Sequence, residues 1–399
     1  MVQGQQLTNQ LRLVPIWPQA FWNTKAMARN QLILHVGFHK SGTSALQETF
    51  AAQRDELQQA GILYPSIGRK AHHRIAWALT QKPWGWKKRG GEVTAFKHFT
   101  KMTALINRSK SPKIVLSSEF FSELSPEKIQ LIASAIKGRE VKVIFTLRPL
   151  AKLLGSSYQQ YLKYGTKADY SEWLHSVLDE PGVSKINPTF WQRHMHGDVV
   201  ARWVDVFGND KVTVLIADEQ RPEFLYESLN TYLGLGSGFL KAQAAGSNRS
   251  LSLEEVSLLL ELNRRFPKER QWNEYLVFIR NGYIRQLTDH LPLKEGSKKL
   301  LTPSWAVAKA NELATQSKLR IQQLGVEVYG DITSLDRATV PEGEPDYSRT
   351  IDIETVAQAM LGFDKNLAKR VPFRWLVEWT TGEIIRRLKW TIKSIFHGR

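Results

Sequence analysis

Residues 32–59 constrain the fold more than any other stretch of this chain. Residues 32–36 are a short apolar run of strand character, residues 37–43 are rich in Gly and hydroxyls, and residues 44–59 read as a helix. A strand feeding a helix through such a loop aims backbone N–H groups and the helix N-terminus at one point, a geometry that suits an anion. The lysine stands in a distinctive place. A Walker A loop puts Lys directly after its second Gly and before Ser or Thr. Here the order is Lys40-Ser41-Gly42-Thr43-Ser44, with the lysine ahead of the glycine.

A second element lies further along. Residues 141–147 form a continuous, β-branched run of the kind found in buried parallel strands. They lead into Arg148-Pro149 and then a helical stretch over 150–161, with Ser156 eight residues after Arg148. A guanidinium makes a forked, charge-assisted grip on phosphate, and a hydroxyl on the next helix adds a donor. Taken together, the two elements resemble sulfotransferases that use 3′-phosphoadenosine 5′-phosphosulfate (PAPS). The Lys-Ser-Gly-Thr-Ser order is similar to their 5′-phosphosulfate loop, and Arg148 with Ser156 is similar to their 3′-phosphate clamp. The resemblance spans residues 31–265 and is looser around Tyr329-Gly330-Asp331.

The rest of the chain reads as strands alternating with helices. Strands are expected at 61–65, 113–118, 141–147 and 212–216, and helices at 72–80, 92–107, 126–136, 170–178 and 189–207. This pattern predicts an α/β fold, a parallel sheet in a P-loop NTPase-like three-layer architecture, followed by a helical C-terminal region. Ligands of such sheets sit at the carboxyl ends of the strands, where His39, Glu119 and Arg148 all fall. The expected organisation is an N-terminal arm (1–30), a PAPS-binding domain (31–265) and its helical extension (266–340). An acidic, Pro-rich linker (341–352) and a basic amphipathic helical segment (353–399) complete it.

Composition narrows the function. The chain has 399 residues, 42% of them hydrophobic, ample for a large buried core. It has no cysteine, which excludes disulfides, a thiolate nucleophile and Cys-ligated metal. No apolar run approaches a membrane span, and the arm has no signal-peptide pattern, so the expected location is cytoplasmic. A net charge of +17 exceeds what one donor nucleotide requires and points to an acidic acceptor or an anionic surface. Lys82, Lys87, Lys88, Arg89, Lys97 and Lys101 face only Glu92 across residues 82–101, with Trp84 and Trp86 interleaved. Basic residues mixed with aromatics can follow a polyanion while stacking its rings. Ile384, Leu388, Ile392 and Ile395 recur at helical spacing among Arg386, Arg387, Lys389 and Lys393, a pattern suited to peripheral contact with an anionic membrane.

The resemblance implies roles for particular residues. Lys40 would stabilise charge on the departing phosphate oxygen, while Ser41, Gly42, Thr43 and Ser44 would cradle that phosphate. Arg148 and Ser156 would read the 3′-phosphate, with Asn248 and Arg249 as further donor contacts. Glu119 is the first choice for general base, with a pKa raised by burial, and His39 is the second. His72, His73, Lys87, Lys88 and Arg89 are candidates for acceptor contacts. No metal is expected: His194 and His196 with Asp198 are too divergent on one helix to form a site. The acceptor expected is anionic or carbohydrate, not nucleic acid. Two other classes fit parts of the pattern: a P-loop kinase, which must explain the displaced Lys40, and a non-catalytic polyanion-binding protein, which leaves Arg148 and Ser156 unexplained.

Overall fold

Leu32, Leu34 and Val36 enter one core cluster while Ile33, between them, enters another. That alternation marks a central strand buried on both faces. The computed structural model describes residues 30–397 except 68–69, 87, 243–248, 348–349 and 371–372. Most of the N-terminal arm, Lys87 and Asn248 therefore lie outside the described residues.

The strands are β1 (Gln31–Gly37), β2 (Ile62–Leu63), β3 (Pro83–Trp84), β4 (Glu92–Val93), β5 (Lys113–Ser117), β6 (Glu140–Leu147), β7 (Val212–Ile216) and β8 (Glu327–Tyr329). Six of them form one sheet in the order β2-β5-β1-β6-β7-β8, with every neighbouring pair parallel. Its two faces are covered by helices, as the alternating sequence pattern predicts. On one face Phe145 and Leu116 pack with Trp203 and Ile129; on the other Val115 and Ile144 pack with Phe50 and Leu229.

Several local differences from the sequence reading have simple causes. The helix expected over 44–59 is two helices, Thr43–Ala52 and Arg54–Gln59, meeting at Gln53, whose side chain bonds Phe239 O and Lys241 N. The helix expected over 189–207 is broken at Met195 into Phe190–His194 and His196–Phe207. Residues 92–93 belong to an antiparallel hairpin with β3, so the following helix begins only at Lys97. β8, a three-residue edge strand, is too short for a sequence period to show.

A third core cluster holds the helices after residue 250 against the helices Leu150–Leu162 and Tyr170–Leu178, around Tyr158, Trp173, Trp272 and Tyr275. The acidic segment expected as a linker runs along this cluster. Gly343 N bonds Thr302 O, and the Tyr347 hydroxyl accepts from Tyr170 N. The helix Ile353–Arg370 packs on residues 276–290, with Ala359 buried. In the last helix, Phe373–His397, the apolar side chains of Phe373, Val377, Ile384 and Leu388 are all exposed.

Beneath the loop that follows β1, His35 is buried and ties three strands together. Its Nδ1 lies 2.8 Å from Ser117 Oγ on β5, and its Nε2 lies 2.8 Å from Thr146 Oγ1 on β6. Burial lowers the His35 pKa to about 4, that of His72 to about 4 and that of His196 to about 3; it also holds His194 well below the usual value. The folded protein thus keeps these rings neutral, whereas the unfolded chain protonates them near pH 6.5. Their stabilising contribution is complete above that pH and is lost as pH falls toward 4. Urea unfolding at about pH 7.5 and about pH 5 should therefore differ by several kcal/mol, on the order of 1.4 kcal/mol per imidazole per pH unit. Equal stability at the two pH values would contradict this account.

Candidate active site

The loop after β1 is curled by three backbone features. Gly37 admits no side chain, because a Cβ there would sit 2.0 Å from Thr43 Oγ1. Lys40 and Gly42 both adopt left-handed conformations, with φ of 67° and 88°. Ser41 Oγ donates to Phe38 O at 2.7 Å and Thr43 Oγ1 donates to the same carbonyl at 3.2 Å. Both hydroxyls are thus turned into the loop; Ser41 N–H also donates to Phe38 O, at 3.3 Å, so what Thr43 presents to an anion is backbone N–H. Gly42 and Ser44 are exposed. The opening N–H groups of the helix Thr43–Ala52 have no acceptor within that helix and point toward the same place. The Lys40 side chain is exposed at the loop's edge. Desolvation by the surrounding cleft holds its ammonium below the usual lysine value, with Glu119 opposing the shift and Arg148 adding to it.

β1 lies between β5 and β6, so the residues after those strands flank its loop on opposite sides. On the β6 side, Arg148 Nη1 reaches Lys40 O at 3.4 Å, and its Nε donates to Glu219 Oε1 at 2.5 Å. Lys152 Nζ lies 2.8 Å from the other Glu219 oxygen. Burial pushes the Glu219 carboxyl up, but the Lys152 and Arg148 hydrogen bonds outweigh it and keep the group ionised. A single carboxylate therefore holds two cations at this end of the sheet. Ser156, on the second turn of the helix Leu150–Leu162, is half-buried and donates to Leu153 O at 3.0 Å.

On the β5 side, Glu119 opens a short 3₁₀ turn, Glu119–Glu123. Its Oε2 accepts from Gln47 Nε2 at 3.1 Å and lies 3.6 Å from His73 Nδ1. The expected rise in its pKa is reversed. Burial does push the carboxyl up, yet the nearby His73 and His39 rings and the Gln47 amide bring it below the usual carboxylate value. Glu119 is accordingly ionised at neutral pH. His39 lies 3.5 Å from Glu123, which is in turn ion-paired to the half-buried Arg193 at 2.9 Å. Burial and Arg193 lower the His39 pKa against the pull of Glu123 and Glu119, leaving a neutral imidazole.

The structure therefore brings Lys40, His39, Glu119, His73 and Arg148 to one end of the sheet. Other candidates are engaged elsewhere. His72 is buried, donating from Nε2 to Pro65 O at 3.0 Å and accepting at Nδ1 from Ser117 N at 3.0 Å, so both ring nitrogens serve the fold and none faces an acceptor. Arg89 stacks on Trp86 at 4.3 Å and donates to Pro267 O and Arg270 O, pinning the β3–β4 hairpin to the helical region. Lys88 beside it is exposed. Arg249 has its donors engaged within the chain, by both Glu255 oxygens at 2.7 Å and by three backbone carbonyls. That leaves its guanidinium a fixture of the helix Leu253–Arg265 and its Ser252–Glu255 capping box. Among the described residues, no group of three His, Asp or Glu is arranged to hold a metal.

Sequence reasoning missed Gln47, Glu123, Arg193, Lys152 and Glu219. Glu219 was within reach: it follows β7, and carboxyl ends of parallel strands are where such folds bind ligands. Glu123 and Arg193 are seventy residues apart in the chain and no local pattern couples them.

A parallel sheet with an anion-cradling loop at the end of its central strand is a P-loop-like α/β fold. Residues 30–207 match the sulfotransferase domain family. The chain is thus a transferase whose domain type moves sulfuryl groups. Among solved structures the chain is similar to a sulfotransferase from Alicyclobacillus acidocaldarius, at 18% identity and a TM-score of 0.38, over 59% of this chain and 92% of that one. No curated protein matches it.

Proposed function

We propose that this chain transfers a sulfuryl group from PAPS to a hydroxyl or amine of an acceptor, a carbohydrate or glycolipid. The observation that carries the reading is the division of charge around the loop after β1, with a cation pair on the β6 side and an ionised carboxylate with imidazoles on the β5 side. PAPS, when bound, supplies the sulfuryl group and leaves as 3′,5′-ADP. The backbone N–H groups of residues 42–44 suit its 5′-phosphate, and Arg148, Lys152 and Ser156 suit its 3′-phosphate. Lys40 stands where it can neutralise charge gathering on the departing oxygen. Glu119, already ionised and within reach of His73, would take the acceptor's proton. His39, held by Glu123, is the second candidate for that role. A kinase reading has less support, since the Thr43 hydroxyl is turned onto Phe38 O and Lys40 precedes Gly42.

Glu219 occupies the cations that the 3′-phosphate would use, so it must yield on donor binding. 3′,5′-ADP should raise the melting temperature markedly and ATP far less, because ATP has no 3′-phosphate. Arg148→Ala should remove that preference at a cost of about 2–4 kcal/mol, and Glu219→Gln should tighten 3′,5′-ADP binding several-fold. Equal stabilisation by ATP, or weaker 3′,5′-ADP binding in Glu219→Gln, would count against the assignment.

For the last helix we propose contact with an anionic membrane surface. Exposed Phe373, Val377, Ile384 and Leu388 share its length with exposed Arg386, Arg387 and Lys389. Deleting residues 373–399 should abolish sedimentation with phosphatidylglycerol vesicles while sparing activity on a soluble acceptor. Unchanged sedimentation would end this proposal.

A further inference from the structure

A run of aromatic rings leads away from Glu119. His73 lies 5.0 Å from Phe120, Phe120 lies 5.0 Å from Trp77, and Trp77 lies 5.6 Å from Trp84. Trp84 in turn meets Tyr164 at 6.1 Å. All five rings are half-buried, so each keeps surface toward solvent. They come from four separate elements: the helix His73–Thr80, the turn after β5, the strand β3 and the residues after the helix Leu150–Leu162.

The far end of this run carries a guanidinium held against rings. The Arg280 guanidinium lies 4.3 Å from the Tyr164 ring centre and 5.6 Å from that of Trp84. Among the described residues no carboxylate forms an ion pair with Arg280 or with Lys163. Lys163, next to Tyr164, has its pKa pushed down to about 7 by burial and by the charges of Lys40, Arg280 and Arg249, with Asp289 opposing them in part. Lys40 and Arg280 thus both act on Lys163, in a field that an anion would relieve. Arg280 is carried on a π-helical segment, Leu276–Ile284, a costly geometry that concentrates at functional sites.

We infer that Trp84, Tyr164, Lys163 and Arg280 form an acceptor subsite for a sugar unit bearing a sulfate or carboxylate, next to the unit whose hydroxyl reaches Glu119. This rests on the sulfotransferase reading given above. Aromatic faces cover the apolar faces of a ring, and an Arg fork takes a planar or tetrahedral anion by paired hydrogen bonds. The guanidinium can do both at once, because stacking on Tyr164 leaves its N–H edge free for the anion. The ring run that reaches the subsite starts at His73 and Phe120, beside Glu119 on the β5 side of the loop. The same chemistry gives the chain's basic excess a specific use: an acceptor that already carries negative charge.

The test uses the full chain and direct binding without turnover. Tryptophan fluorescence titration would compare a chondroitin sulfate tetrasaccharide with its desulfated, carboxyl-reduced counterpart, on wild type, Arg280→Gln and Arg280→Lys. 3′,5′-ADP would be titrated in parallel. Wild type should bind the anionic tetrasaccharide at least about 10-fold more tightly than the neutral one, and Arg280→Gln should remove most of that difference. Arg280→Lys should keep part of it, and 3′,5′-ADP affinity should stay the same in all three proteins. The inference is overturned if the anionic tetrasaccharide does not bind, if Arg280→Gln binds it as wild type does, or if Arg280→Gln weakens 3′,5′-ADP instead. Failure of wild type to bind 3′,5′-ADP would refute the donor reading separately, leaving the tetrasaccharide comparison intact.

Discussion

The hydrogen bonds of His35 set the geometry on which the site depends. Three parallel strands end together, and each end delivers a different chemical group: Lys40 after β1, Glu119 after β5 and Arg148 after β6. Parallel backbone ladders fix the strands' spacing, yet side chains at their ends could still shift along the strand axis. A neutral imidazole bonded to Ser117 on one side and Thr146 on the other, both at 2.8 Å, locks the three ends in register. Removing it would leave two buried hydroxyls unpaired directly beneath the loop, each costing about 1–3 kcal/mol.

Above that tie, cations are held in two ways. On the β6 side, Arg148 and Lys152 are satisfied by Glu219, a carboxylate standing where an anionic ligand would be held. Such a placeholder keeps two cations close together at low cost while the site is empty, and exchanging it for a phosphate gains charge-assisted hydrogen bonds. Elsewhere, Arg280 lies over the rings of Tyr164 and Trp84. The same net charge of +17 that is silent about location at the level of composition therefore has a definite distribution in the fold.

Much of this was legible in the chain because the informative signals are local. The strand–loop–helix unit, the Arg148 turn and the continuous apolar strands are all set by residues adjacent in sequence, and they define the sheet and the positions of Lys40, Glu119 and Arg148. What escaped depends on contacts between distant segments. His72 looks like an exposed helix-start residue, yet its ring bridges Pro65 and Ser117 and is buried. Arg249 looks free for a ligand but is closed off by Glu255 and two carbonyls from residues 287 and 291. The sign of the Glu119 shift was misjudged for a related reason: burial alone raises a carboxyl, whereas His73, His39 and Gln47, brought in from other elements, lower it.

The central claim is that donor binding and sulfuryl transfer rest on different sides of one loop. Label transfer from ³⁵S-PAPS to an acceptor, measured beside the Kd for 3′,5′-ADP, tests it most directly in Lys40→Ala and Glu119→Gln. The account predicts that kcat falls about 10²-fold or more in both proteins while the Kd for 3′,5′-ADP stays within a few-fold of wild type. Near wild-type turnover in both variants, or loss of 3′,5′-ADP binding in Glu119→Gln, would contradict it.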